Sequence, residues 1–183
     1  MNSKNIFFFS ILLFAGTLLQ AQIFMGKTCE ITFFSDGPVE DIAAKNTTSK
    51  PILNTKTNEL AIKITIKGFA FDKKLMEEHF NEKYMESDKF PYSTFSGKIN
   101  ESIDYTKDGV HKVTVTGKLA MHGVEKDRII DGTLTVKGSE ISIESKFNVA
   151  LKDHNIEIPS LVTDNIAEVV EVKIKSTLTE FKK

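Results

Sequence analysis

Glu59-Leu60-Ala61-Ile62-Lys63-Ile64-Thr65-Ile66-Lys67 is the stretch whose reading decides the fold. Successive side chains of an extended strand point to opposite faces, so Leu60, Ile62, Ile64 and Ile66 share one face and Ala61, Lys63, Thr65 and Lys67 the other. A helix would scatter the same residues around its circumference. The pattern therefore predicts a strand with one buried and one solvated face.

The alternation recurs down the chain. Phe95, Gly97, Ile99 and Ile103 oppose Thr94, Ser96, Lys98 and Asn100. Val113, Val115, Gly117, Leu119 and Met121 form a third set, Ile141, Ile143, Phe147 and Val149 a fourth, and Val170, Val172, Ile174 and Leu178 a fifth. Together they predict about eight strands, near 28–35, 39–47, 59–71, 93–104, 110–122, 127–137, 140–152 and 166–180, the second weakly patterned. Asp108-Gly109 and Gly138-Ser139 read as tight hairpin turns and Asp131-Gly132 as a bulge. One stretch has helical spacing: Leu75, Met76, Phe80 and Tyr84, with Asp72 as the expected N-cap and Glu77 and Glu78 early in the helix.

Long strands joined in sequence, each with an apolar face, predict an all-β domain: an antiparallel eight-stranded, lipocalin-like barrel with a helix covering one end. Closure removes the exposed edges that invite aggregation. A barrel of about eight strands has room for one small ligand. A two-sheet sandwich, which leaves no cavity, has the same periodicity.

The segment before the strands is of another kind. Lys4 precedes an apolar run from Ile6 to Leu19, and Gln20-Ala21-Gln22 offers a small-residue cleavage site. Residues 1–21 read as a secretory signal peptide, the run being short for a bilayer span, which leaves 22–183 as a single exported domain, periplasmic or extracellular, with no stable membrane span. The charges nearly balance, 24 basic against 25 acidic, and no basic cluster is present, so nucleic-acid binding is not expected. A homodimer is compatible with this composition. Cys29 stands alone and reads as a small core residue; a disulfide within the chain is excluded.

Catalytic and metal motifs are missing. The histidines at 79, 111, 122 and 154 lack zinc spacing, and there is no nucleophile elbow, phosphate loop or Cys-x-x-Cys. The expectation is a non-enzymatic protein with no cofactor. His79 reads as a half-buried, hydrogen-bonded helix residue, His122-Gly123 as a chain turn, and Lys89 as the partner of a local carboxylate.

Two separated motifs then carry a resemblance. Lys89, Phe90, Pro91, Thr94, Phe95 and Gly97, followed by His122, Gly123, Val124 and Lys126, resemble the YceI-like family of exported polyisoprenoid-binding proteins. The chain departs from the commoner pattern in having no tryptophan. The resemblance implies a lipocalin-like barrel that holds a long isoprenoid lipid, of quinone or polyprenyl type, as carrier or sequestering protein. Apolar lining of such a tunnel falls to Leu60, Ile62, Ile64, Ile66, Phe95, Val113, Val115, Leu119, Ile143 and Phe147, with Leu75, Met76, Phe80 and Met85 from the cap. Two other readings stand beside it. An exported enzyme acting on a lipid or small molecule would place His79 or His122 beside a carboxylate inside the pocket. A binding or adhesion module would have a solid core.

Overall fold

The computed structural model describes residues 22–36, 41–158 and 167–181. The signal-peptide assignment for 1–21 lies outside them, as do residues 39–40 and 166 of two predicted strands.

The strands run β1 (Ile23–Ser35), β2 (Ile42–Asn46), β3 (Ile52–Asn54), β4 (Glu59–Thr65), β5 (Phe69–Phe71), β6 (Tyr92–Ile99), β7 (Gly109–Met121), β8 (Val124–Lys137), β9 (Glu140–Ala150) and β10 (Val169–Glu180). Among the described residues a single α-helix, α1 (Lys74–His79), lies between β5 and β6 and continues into a wider turn, Phe80–Tyr84. Every pairing is antiparallel, and β10 returns to β1 from Phe24↔Glu180 to Phe34↔Glu171, so the sheet closes. Two pairs of short strands act as two broken long ones. β1 pairs β3 through residues 23–25 and β2 through 31–35. β4 and β5 are separated only by the 3₁₀ turn Ile66–Gly68. The result is a closed eight-strand antiparallel barrel, as the alternation predicted.

The departures from expectation have local causes. β3 has three residues between Pro51 and the turn at Asn54, too few for a period to show. The predicted strand at 59–71 is interrupted because Ile66–Gly68 forms a 3₁₀ turn. Asn46 holds both breaks: its amide donates to the Thr65 carbonyl (3.0 Å), and its Oδ1 accepts from the Thr48 N–H (3.0 Å), the Thr48 hydroxyl (3.1 Å) and the Ser49 hydroxyl (3.1 Å). Fully buried and with both ends of its amide engaged, it fixes the corner. The strand predicted to 104 ends at Ile99, and Ile103 packs on the core from a loop.

Turn assignments shift as well. Asp108-Gly109 ends the long 100–108 connection and makes no tight hairpin, whereas Gly138-Ser139 does. Asp131-Gly132 carries no bulge, since the ladder runs unbroken through Thr114↔Asp131 and Val113↔Gly132. The longest hairpin, β7–β8, turns at His122-Gly123, with φ of 52° and 75°, the left-handed pair that matches strand twist. Lys73 takes the helix N-cap position in place of Asp72 and makes no capping bond with its side chain.

The two ends of the barrel differ. Away from the helix, Leu53, Ile99, Leu134, Val136, Ile141 and Leu178 are all within 2% of complete burial and fill the interior. At the helix end the ring is interrupted twice. No ladder joins β5 to β6, and α1 packs on β5 there. The β8–β9 ladder stops at Gly132↔Ser145, so 124–131 and 146–150 do not pair. That second gap is covered by the 3₁₀ turn Leu151–His154, which packs on both strands, and is bridged by the guanidinium of Arg128 donating to the Asn148 carbonyl.

Candidate ligand-binding site

The inward faces that fill the far half of the barrel leave a cavity of about 430 Å³ in the helix half. Its wall follows from the alternation: β4 contributes Leu60, Ile62 and Ile64, β6 Phe95, β7 Val113, Val115 and Leu119, and β9 Ile143 and Phe147. Ile66 enters from the 3₁₀ turn, and Leu75, Met76, Phe80 and Met85 from the helical cap. All fourteen residues proposed from sequence as lining thus face one space.

Others that face it were missed. Phe33, Phe69 and Phe71 join Phe80 in an aromatic cluster, with Phe33 and Phe80 stacked at 5.4 Å and Phe71 to Phe80 at 5.0 Å. Phe33 packs edge-on against Phe69 at 5.5 Å and Phe71 at 5.8 Å. The cap is therefore fastened to β1 and β5 by aromatic contact, worth about 0.5–1.5 kcal/mol per pair beyond area burial. Ile130, Val172 and Ile174 also line the cavity. The same period-two pattern marks all of these positions.

Polar side chains that reach the cavity are mostly occupied. Ser93 Oγ donates to the Ala120 carbonyl (2.9 Å), Ser145 Oγ to the Asp131 carbonyl (2.6 Å) and Ser176 Oγ to the Thr28 carbonyl (2.7 Å). Ser35 Oγ accepts from the Ala167 N–H (2.9 Å). Hydroxyls committed to the backbone in this way line a chemically apolar space. Burial pushes the Tyr84 phenol up, which keeps it neutral. His79 is half-buried at the cap and makes no side-chain hydrogen bond among the described residues, contrary to the expectation of a bonded one. Cys29 is buried below the cavity, and burial pushes its thiol up, partly offset by Ser176, as suits a core residue.

The motif residues do other work. Of Lys89, Phe90, Pro91, Thr94, Phe95, Gly97, His122 and Gly123, Phe95 alone lines the cavity. His122 lies with Nε2 2.9 Å from the Glu86 carboxylate and Nδ1 3.1 Å from the His154 carbonyl, both acceptors. The Phe90 ring packs edge-on to His122 at 4.6 Å. Gly123 meets the same ring, where a Cβ would lie 2.6 Å from Phe90 Cε1, so both its positive φ and this contact require glycine. Gly97 faces Gly117 across β6 and β7, and a Cβ there would lie 2.7 Å from the Thr116 carbonyl oxygen. Pro91 accepts from the Ile66 N–H (3.0 Å), and Lys89 lies 3.9 Å from Glu86, the local carboxylate expected for it. Thr94 points outward. These residues build the corner where β6, β7 and β8 meet below the cap.

His154, absent from the sequence reading as a structural residue, completes that corner. It is fully buried and its Nδ1 donates to the Val124 carbonyl (3.1 Å), while Nε2 has no partner among the described residues. Burial holds its pKa below the ordinary histidine range. No group of three metal-ligating side chains comes together among the described residues. The one His–carboxylate pair among the described residues, His122 with Glu86, is formed by two residues that do not line the cavity.

Comparison with known proteins agrees with this architecture. No curated protein matched the sequence. Among solved structures, a polyisoprenoid-binding domain from Saccharophagus degradans implicated in plant cell wall breakdown superposes with a TM-score of 0.75 at 12% identity, covering 88% of this chain and 100% of that one. BcnA of Burkholderia cenocepacia gives 0.66 at 15% identity over 81% and 95% of the two chains. A YceI protein of Campylobacter jejuni gives 0.54 at 17% identity over 74% and 81%. At these identities the likeness concerns the fold. The model of the YceI-like domain matches residues 21–178, and with its barrel, its helical cap and its His122 corner the chain belongs to the YceI-like family.

Proposed function

We propose that this protein binds a long-chain isoprenoid lipid, of quinone or polyprenyl type, without chemical conversion, as a carrier or sequestering protein. The observation that carries the reading is the 430 Å³ apolar cavity at the helix end of the barrel, whose serine hydroxyls are engaged with backbone. Burying a hydrocarbon there removes it from water at about 0.8 kcal/mol per CH₂ before ordering costs. The fourteen lining residues, from Leu60 on β4 to Phe147 on β9, would contact the tail. His79 and Tyr84, at the cap, are the polar groups nearest a headgroup. The Saccharophagus degradans domain, described as polyisoprenoid-binding, shares the fold and supports the ligand class.

An enzyme would need a nucleophile or acid–base pair inside the pocket, and the His122–Glu86 pair lies behind its wall. A solid-core module fits only the far half of the barrel. Residues 1–21 read as an export signal, and no helix among the described residues is long and apolar enough to cross a membrane. Export to the periplasm or the exterior would place the barrel among lipids that leave a membrane.

Mass spectrometry of an organic extract of the protein purified from its native host tests the reading. A co-purifying isoprenoid is expected. Repeated absence, together with no binding of added ubiquinone or polyprenol, would overturn it.

A further inference from the structure

The β8–β9 interruption is a seam in the side of the barrel. Toward the helix end from Gly132↔Ser145 the two strands no longer pair, so residues 124–131 and 146–150 flank it. Ile130 and Asp131 on one side and Phe147 and Val149 on the other line the cavity. Asp131, Gly132, Ser145 and Ile174 also line a cleft on the outer surface, so cavity and exterior meet where the strands fork. Side chains lace the seam in place of ladder bonds: Ser145 Oγ donates to the Asp131 carbonyl (2.6 Å), the Arg128 guanidinium to the Asn148 carbonyl, and His154 Nδ1 to the Val124 carbonyl (3.1 Å).

Arg128 is the only arginine among the 24 basic residues of the chain. Alternation puts it on the face of β8 that carries Ile130 and Gly132, both of which line the cavity. It is half-buried, and among the described residues its hydrogen bond goes to a neutral carbonyl, with no carboxylate in contact. The carboxylates of the same segment, Glu125 and Asp127, lie on the opposite face, where Lys118 meets them at 2.9 and 3.3 Å. At the outer cleft Lys146 and Lys173 share Glu171, at 2.6 and 3.0 Å. Lys126, on the same face as Arg128 and opposite the cavity-lining Leu119, has no ion pair among the described residues. A guanidinium presents five N–H donors in a planar fork that fits phosphate oxygens. The carbonyl of Asn148 leaves most of them free.

We infer that Arg128, assisted by Lys126, holds the phosphate of a prenyl phosphate at the seam while the prenyl tail lies in the cavity. This rests on the isoprenoid reading above and selects, within it, the anionic polyprenyl ligand over the uncharged quinone. The head then sits at the side of the barrel and not at the cap, where His79 and Tyr84 stand.

The test compares geranylgeranyl phosphate with geranylgeraniol on the protein purified after export, Kd being read by displacement of an environment-sensitive dye. The tails are identical, so the ratio of the two Kd values isolates the head. In wild type the phosphate should bind about tenfold or more tightly, and the ratio should shrink as salt rises. Arg128→Gln should bring the ratio to within about threefold while moving the alcohol's Kd by less than about twofold. Arg128→Lys keeps the charge and loses the fork, and should retain part of the ratio. If Arg128 only bolts the seam, its loss weakens both ligands together and the ratio persists, which overturns the inference; so does a ratio near one in wild type. Either result leaves isoprenoid binding intact, whereas binding of neither ligand overturns isoprenoid binding itself. A single arginine also gives a single guanidinium Nε–H resonance in isotope-labelled protein. It should shift with geranylgeranyl phosphate and stay with geranylgeraniol. Inorganic phosphate that shifts it at the same concentration would mark a site for free anions and overturn the role in head binding. Should Arg128→Gln fail to fold, the wild-type resonance and salt dependence decide.

Discussion

One exchange, Ile→Phe, separates the hollow half of the barrel from the filled half. Ile64 lines the cavity opposite the small Ser93 on β6, and Ile141 lies in the filled half at 1% exposure. Phenylalanine adds three carbons, and at Ile64 they point into the open space of the cavity. There it has room, and Ile64→Phe should unfold in urea within about 0.5 kcal/mol of wild type. At Ile141 no room exists, and overpacking should cost about 1–3 kcal/mol, lowering Tm by roughly 2–4 °C per kcal/mol for a chain of this size. Ligand binding should respond in the opposite order. Three displaced methylene equivalents are worth up to about 2.4 kcal/mol at ~0.8 each, or as much as about fifty-fold in Kd, so Ile64→Phe weakens prenol binding while Ile141→Phe, where it folds, barely does. Urea melts and dye displacement on both variants measure the two effects. Equal destabilisation at the two sites would mean that the helix half is packed core, and the binding site proposed here would fall with it.

Asn46→Ala should cost about 2–4 kcal/mol in urea unfolding, because the Thr65 carbonyl and the Thr48 and Ser49 donors lose their shared partner inside the corner; a loss under 0.5 kcal/mol would refute the role given to it. Gly123→Ala, with φ at 75° and Phe90 Cε1 2.6 Å from the new carbon, should cost about 1–3 kcal/mol and lower Tm, checked by thermal melts. His154 is depressed by burial, so the unfolded chain binds its proton more readily than the folded one. Its contribution is present above the ordinary value of 6.5 and is lost as pH falls from there toward the lower folded value. Stability should therefore fall as pH drops below 6.5, and His154→Gln should flatten that slope in urea titrations across pH; an unchanged slope would assign the pH dependence to other groups.

The barrel was legible because its signal repeats: five stretches of period-two residues leave little alternative to antiparallel strands. The lining residues were legible for the same reason. What alternation conveys is the direction of a side chain, and it conveys nothing about what meets it. Ile64 and Ile141 obey the same rule, yet one faces open space and the other is fully buried between its cross-strand neighbours Leu178 and Val136. Hollow and filled halves are written in the same residues. Breaks in the strands were hidden too, since Ile66 keeps its inward position through the 3₁₀ turn and so prolongs the apparent period. The corner at His154 gave no sequence signal because its partners, the Val124 carbonyl and the His122 ring, are brought to it only by closure of the barrel.

The family motif and the ligand site occupy different residues, and the physical reason bears on how function is read from such sequences. A closed barrel with a hollow half lacks the core contacts that would hold its open end together. Here that end is interrupted at β5–β6 and again at β8–β9. The corner of Phe90, His122, Gly123, Glu86 and His154 replaces missing ladder bonds with side-chain ones, in geometry that few residue types supply: a ring with a polar atom on each side, an aromatic face, and a backbone at positive φ. Such demands produce a recognisable motif. The cavity makes a weaker demand, only that the wall be apolar, which Ile, Leu, Val, Met or Phe can meet at nearly any position. The motif therefore identifies the barrel that keeps an open end, while the lining of the cavity is left to aliphatic positions that the motif does not include.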